Sequence, residues 1–284
     1  MNDRRIWWFF IVPCMLVALA VVMSLAAVFQ YSFREFIPGS LDTGGFTLDN
    51  FYNIGRPLYF LVILDTLLIS LLTAVFCLLL SYPVAYALVR TEAEWLRALL
   101  VILSITPLFT GEIVRTYAWM LVLGSDGFVN SILMTLGIVS SPVQFMYTKF
   151  GVIVALVHFS MPVMIILLAT AISHVNRDYE KAAANLGAAP LVVFWRVTVP
   201  LTMPGIVAST VVIFAWTMSA FATPQLIGGG KVLMISNLVY LQGLSSFNFP
   251  VAAVLSAVAF IAAVGSLALV QPFVTRLERR VAQQ

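Results

Sequence analysis

Six apolar runs, each long enough to cross a lipid bilayer as a helix, constrain this chain more than any motif within it. They are Trp7 to Tyr31, Tyr59 to Val89, Ala98 to Gly124, Phe150 to Ile172, Met203 to Ile227 and Phe249 to Pro272. A helix needs about 20 predominantly apolar residues to span the hydrocarbon core, and each run supplies them. Composition agrees, with 62% of the 284 residues hydrophobic and 10% charged and a mean hydropathy of +1.03. A water-soluble core of this size cannot hide so much apolar surface. The expected fold class is all-α integral membrane, with six transmembrane helices. The first run follows Arg4 and Arg5 but is too long for a signal-peptide h-region and has no small-residue cleavage site after it. It is expected as a retained helix.

Charge sets the expected orientation. The net charge of +3 does not point to nucleic acid, because the basic residues are dispersed and mostly flank the apolar runs. With the N-terminus inside, cytoplasmic segments hold Arg4, Arg5, Arg90, Arg97, Arg177, Lys181, Arg196, Arg276, Arg279 and Arg280, while outer segments hold Arg34, Arg56, Lys149 and Lys231. Both termini are then cytoplasmic, as is the loop 173–200. Ser32 to Leu58, Ser125 to Lys149 and Gly228 to Pro250 form the outer loops. Within the second, Phe128 to Leu136 is too short to span and is bounded by Gly127 and Gly137, so a short interfacial helix is expected there. The chain divides into 1–58, a first helix with its outer loop, and 59–284, five further helices carrying the loop 173–200. Cys14 and Cys77 lie inside apolar runs, with neither a metal-ligand spacing nor a disulfide framework.

The cytoplasmic segment Asp178 to Pro204 reads DYEKAAANLGAAPLVVFWRVTVPLTMP. Asp178 is placed to cap a helix, Ala182, Ala183 and Ala184 are strong helix formers with small side chains, and Gly187 ends the helix. Pro190 suits the first turn of a second helix. Leu191 to Trp195 are too apolar to be left in water, so either the loop folds back on its own helices and the lipid headgroups, or a partner covers it.

Charges inside the runs are costly, at about 2.5 to 3.5 kcal/mol each at the bilayer centre on insertion scales. Asp65, Glu112 and Arg115 are the three that qualify. Glu112 and Arg115, spaced i, i+3, can pair and pin helix packing. Alternatively Asp65 and Glu112 line a polar route for an amine, with Tyr117 and Trp119 as cation-π faces or as packing residues. His158 and His174 are too far apart for a metal site and are expected as hydrogen-bonded structural residues. Pro83, Pro107, Pro162 and Pro224 fall within or at the ends of spans, where they kink helices.

The segment after Asp178 resembles the E-A-A-x-x-x-G loop of binding-protein-dependent ABC importer permeases. With the family glycine on Gly187, the motif alanines fall on Ala182 and Ala183, and the hydrophobic-x-hydrophobic-Pro ending falls on Val197, Val199 and Pro200. The motif's leading glutamate falls on Lys181, with Glu180 one place earlier. Four further stretches, Asp65 to Arg90, Val114 to Asn130, Arg196 to Ser209 and Ala222 to Val239, are similar to the spermidine/putrescine-type subfamily. The resemblance runs from about residue 60 to the end.

What the resemblance implies is a MetI-like type I ABC permease fold in the bacterial cytoplasmic (inner) membrane. It implies a second permease subunit, a cytosolic ATPase dimer and an external solute-binding protein as partners. ATP and Mg belong to the ATPase, and this chain takes no cofactor. The coupling loop comprises Glu180, Lys181, Ala182, Ala183, Gly187, Pro190, Phe194 and Pro200. The two carboxylates fit a polyamine such as putrescine or spermidine, although relatives also move opines, amino acids and phosphonates. The chain itself has no phosphate loop. Gly228-Gly229-Gly230-Lys231 is followed by Val232 and has Gln225 where the first glycine of G-x-x-x-x-G-K-[ST] belongs, and it reads as a flexible outer turn. A self-contained secondary carrier would carry similar spans and charges, but no inverted repeat is evident. The motifs of a membrane-embedded enzyme are absent from the sequence.

Overall fold

A computed structural model describes residues 3–40 and 43–282, with the side chains of Arg4, Arg5, Arg276, Arg279 and Arg280 outside the described set. In chain order the elements are α1 (Asp3–Tyr31), the hairpin strands β1 (Arg34–Phe36) and β2 (Thr43–Phe46), α2 (Asp49–Ile54) and α3 (Pro57–Arg90). Then come α4 (Glu94–Ile105), a 3-10 turn (Thr106–Phe109), α5 (Glu112–Leu123), α6 (Phe128–Thr135), α7 (Lys149–Ser173), α8 (Arg177–Asn185) and α9 (Pro190–Val193). A π-turn (Phe194–Thr198) leads into α10 (Val199–Met218), followed by α11 (Ala222–Gly228), α12 (Ile235–Tyr240), a second π-turn (Leu241–Ser245) and α13 (Phe249–Ala282). Among the described residues six helical runs are long and apolar enough to cross a membrane.

By contacts the chain parts into two units, one of Met1–Leu61 with Ile235–Phe260 and one of Val62–Met234 with Ile261–Gln284. In the first unit, every residue of the described stretch Ile11–Tyr31 of α1 is exposed. In water that would be untenable, whereas lipid or a neighbouring subunit satisfies it. The hairpin pairs Arg34 with Phe46 and Phe36 with Thr43, and Asn50 Nδ2 donates to the carbonyls of Ser32 and Arg34 at 3.0 and 2.8 Å.

The second unit is organised around α7. One apolar cluster joins α3, α7 and α10 through Ala74, Cys77, Ala85, Met164, Leu168, Ile172 and Ile213. Another joins α3, α7 and α11 through Ile69, Val152, Leu156 and Ile227. Where α7 meets α10 the backbones come so close that a Cβ on Gly205 would lie 2.2 Å from the Cβ of Ala171. Tyr82 and Thr202 hydroxyls bond at 2.7 Å and tie α3 to α10.

Two expected spans are interrupted. The run Ala98 to Gly124 is not one helix: it breaks at Thr110 and Gly111, which are extended at ψ 126 and 146. Pro107 has no N–H to continue the ladder, so α4 and α5, of 12 residues each, are about 18 Å long and neither spans alone. The span in this region is the 24-residue run Glu112–Thr135, so α6, expected as a separate interfacial helix, instead forms the second part of that run. The fifth run, expected from Met203 to Ile227, instead starts at Pro190 and ends at Met218. An unbroken continuation would set the Pro224 ring against the carbonyl of Ala220, and the chain restarts at Ala222 with Pro224 in the first turn of α11.

We expect Gly205→Val to push α7 and α10 apart and to cost about 1–3 kcal/mol by overpacking. A lower thermal midpoint of the purified protein, partly restored by adding Ala171→Gly, is the expected readout. An unchanged midpoint would mean that the two helices do not touch there.

Candidate functional site

The cytoplasmic segment is built from its caps. Asn176, not Asp178, is the N-cap of α8: its Oδ1 accepts the backbone N–H of Asp178 at 2.9 Å. Asp178 sits instead in the first helical turn, where its charge suits the helix dipole. At the other end Gly187 takes a left-handed φ of +85°. That conformation lets the N–H of Ala188 reach the carbonyl of Ala183 at 3.2 Å and the N–H of Gly187 reach that of Ala184 at 2.9 Å, closing a Schellman motif. Pro190 opens α9. No loop separates α9 from the span that follows, because the π-turn Phe194–Thr198 carries the chain straight into α10.

The coupling residues named from the sequence divide into two faces. Glu180 points inward and is 9% exposed. Its Oε1 accepts from Arg90 Nε at 3.2 Å, Arg90 Nη2 at 3.0 Å and Thr198 Oγ1 at 2.9 Å. Arg90 Nη2 also donates to the Val175 carbonyl at 3.1 Å. One carboxylate thus binds α8 to the end of α3 and to the π-turn. Phe194 also faces in, edge-on to Tyr82 and Tyr86 at 5.5 and 5.3 Å between centroids. Lys181, Ala182, Gly187, Pro190 and Pro200 are exposed, and Ala183 is half-buried. Lys181 pairs with Asp178, at 3.4 Å.

Around these small residues stand Tyr179, Leu186, Leu191 and Trp195, of which Leu186 is 89% exposed. The result is a slim helix and its turn, ringed by apolar side chains that are left exposed among the described residues. Arg90, Thr198, Tyr179 and Leu186 were not singled out from the sequence. Leu186 lies within the motif and was legible there, whereas Arg90 is 90 residues from Glu180 and no local pattern links them.

The charges within the spans have different partners from those their spacing suggests. Glu112 and Arg115 do not form the expected internal ion pair. Arg115 turns toward α7, its guanidinium carbon 4.4 Å from the centre of the Phe159 ring, with Nε and Nη1 buried and without hydrogen-bond partners. Glu112 occupies the first turn of α5, just after the break, at the positive end of the helix dipole. A ring face and a helix terminus compete for the two charges, and neither can be seen from i, i+3 spacing. Asp65 pairs with Lys149 at the start of α7, at 2.5 Å. Trp119 Nε1 lies 3.1 Å from His158 Nδ1, which holds both side chains in the packing, while Tyr117 is exposed. The Thr116 and Thr223 hydroxyls bond at 3.2 Å and join α5 to α11.

Comparison with known proteins places this geometry. The chain is 36% identical over 211 residues to the spermidine/putrescine transport system permease protein PotB of Salmonella typhimurium strain SL1344, covering 74% of this chain and 73% of that one. The PotB of Escherichia coli K12 is likewise 36% identical over 211 residues, with 74% and 76% covered. No protein-family model matches the chain. Among solved structures, a bacterial alginate ABC transporter in complex with an alginate pentasaccharide-bound periplasmic protein superposes with a TM-score of 0.78 at 19% identity, over 98% of this chain and 96% of that one. At that identity it shows the fold.

Removing one partner from a buried pair leaves an uncompensated charge, at about 3–5 kcal/mol. We expect Glu180→Leu and Arg90→Met each to speed amide hydrogen exchange across α8, with the double variant Arg90→Met/Glu180→Leu perturbed by less than the sum of the single changes. Additive effects would show that the two side chains act separately.

Proposed function

The chain belongs to the spermidine/putrescine-type family of ABC importer permeases, and from that premise we propose that it forms half of the membrane passage of an ATP-driven polyamine importer. The observation that carries the proposal is the uncovered surface of α8, Gly187 and α9. Four small or turn-forming positions, Ala182, Ala183, Gly187 and Pro190, let another protein approach the backbone closely, and Leu186, Leu191 and Trp195 give it an apolar rim. Beneath that surface the Glu180–Arg90–Thr198 contacts carry any displacement of α8 to α3 and α10.

In this reading a cytosolic ATPase dimer receives the α8 surface and supplies ATP hydrolysis with Mg, and this chain takes no cofactor. A second permease subunit completes the passage, and an external binding protein delivers the solute. Both termini and the loop 173–200 face the cytoplasm of a bacterial inner membrane, as the arginine and lysine distribution supports. Asp65 and Glu112 offer carboxylates to a cationic cargo, and the relatives' transport of spermidine and putrescine supports a linear polyamine. One observation favours a different cargo of the same machine. The unpartnered Nε and Nη1 of Arg115 suit a carboxylate or phosphonate, as in an opine, amino-acid or phosphonate importer.

Uptake of labelled putrescine and spermidine by the complete complex distinguishes the two cargoes: we expect polyamine uptake, and uptake of an anionic solute alone would reverse the assignment. Gly187→Val, which loses the left-handed turn, and Ala183→Arg, which fills the surface, are expected to reach the membrane but to lose transport and co-elution of the ATPase. Full transport by both variants would remove the docking surface from the mechanism.

A further inference from the structure

Resting on the polyamine reading, we propose that the end of the bundle opposite α8 carries a reception site for the cargo's alkylammonium groups, built on Tyr147 and held at rest by Lys231. Tyr147 precedes α7 and has a left-handed φ of 63°, a conformation that a bulky residue keeps only where its surroundings enforce it. Here they do. Its N–H donates to the Ile227 carbonyl at 2.8 Å, and the edge of its ring abuts Gly229, where a Cβ would sit 2.3 Å from Cδ1 and 2.4 Å from Cε1. Gly229 and Gly230 take φ of +52° and +77°, so the glycine run expected to be a flexible turn has a defined left-handed shape, and its Gly229 leaves room for this ring.

The ring so held forms one wall of a groove of about 420 Å³. Tyr117, Met120, Leu121, Ser125 and Met146 line it as well. Two aromatic faces and two thioethers hold an ammonium through ring quadrupoles and polarisable sulfur, without a full opposite charge. Binding of that kind is weak enough to release the cargo onward.

The chain itself shows which ligand the ring accepts: the Lys231 ammonium lies 5.6 Å from the Tyr147 ring centre. The Asp65 carboxylate is occupied in the same manner, by the ammonium of Lys149. Both cation acceptors are therefore filled by lysine side chains, which are primary alkylammoniums like the ends of a linear polyamine. The arriving cargo exchanges with them, and Lys231 returns to the ring when the cargo has moved on.

The test measures uptake of labelled spermidine, together with binding-protein-stimulated ATP hydrolysis, by the complete complex in vesicles. Tyr147→Leu is expected to lower uptake about fivefold, the scale of one lost cation-π face, with ATP hydrolysis within about twofold of wild type. Tyr147→Phe keeps the ring and should transport normally. Lys231→Met frees the ring and should raise uptake at low cargo about twofold. Wild-type uptake by Tyr147→Leu, or an equal loss in Tyr147→Phe, overturns the site and leaves the polyamine reading standing. Loss of ATP hydrolysis and subunit co-elution in Tyr147→Leu overturns it in favour of a protein interface. A wild-type complex that takes up no polyamine removes the reading and this site together.

Discussion

One buried carboxylate ties the cytoplasmic end of the second unit together. Glu180 accepts three hydrogen bonds on a single oxygen, from Arg90 on α3 and from Thr198 in the π-turn before α10. An isolated charge at that depth would be expelled or neutralised. The guanidinium and hydroxyl compensate its desolvation, and Arg90 also satisfies the carbonyl that follows α7. Four segments thus meet at one group, which makes α8 a rigid extension of the bundle rather than a tethered loop. Its outer face, small at Ala182 and Gly187 and apolar at Leu186, is held at a fixed angle for the same reason.

Farther into the membrane the organising constraint is backbone hydrogen bonding. Lipid offers no partner to a freed N–H or C=O, so interruptions survive only where protein or a water-filled path covers them. The chain is interrupted at Thr110–Gly111 and again between Met218 and Ala222. The helices that restart after these breaks, α5 and α11, are joined through Thr116 and Thr223. Glu112 stands in the first turn after one break and Arg115 a turn later. Charge and irregular backbone therefore share one region of the second unit.

Four of the six spans, a helix at Phe128 and the cytoplasmic helix ending at Gly187 were legible because each rests on local chemistry: apolar length, glycine punctuation and alanine propensity. The breaks were partly legible. Pro107 and Pro224 mark them, but Pro83 and Pro162 lie inside continuous helices, and a proline alone does not say whether a helix bends or stops. Asp178 stands at the start of the charged helix in the sequence, but Asn176, two residues earlier, is the cap and accepts the backbone N–H of Asp178 itself. The Glu112–Arg115 pair followed from helical spacing and was displaced by Phe159, contributed by another helix.

By itself the sequence determined that this chain spans a membrane six times, where its cytoplasmic helix begins and ends to within two residues, and that it resembles a permease. Those features depend on runs of neighbouring residues, and the bilayer and the helix read such runs directly. The tertiary structure alone decided which face of α8 is free, that Arg90 rather than solvent answers Glu180, that Arg115 lies on a ring, and that Gly229 makes room for the ring of Tyr147. Each of these is a contact between residues distant in the chain, set by how helices pack. Packing depends on shapes that meet only after the spans have formed.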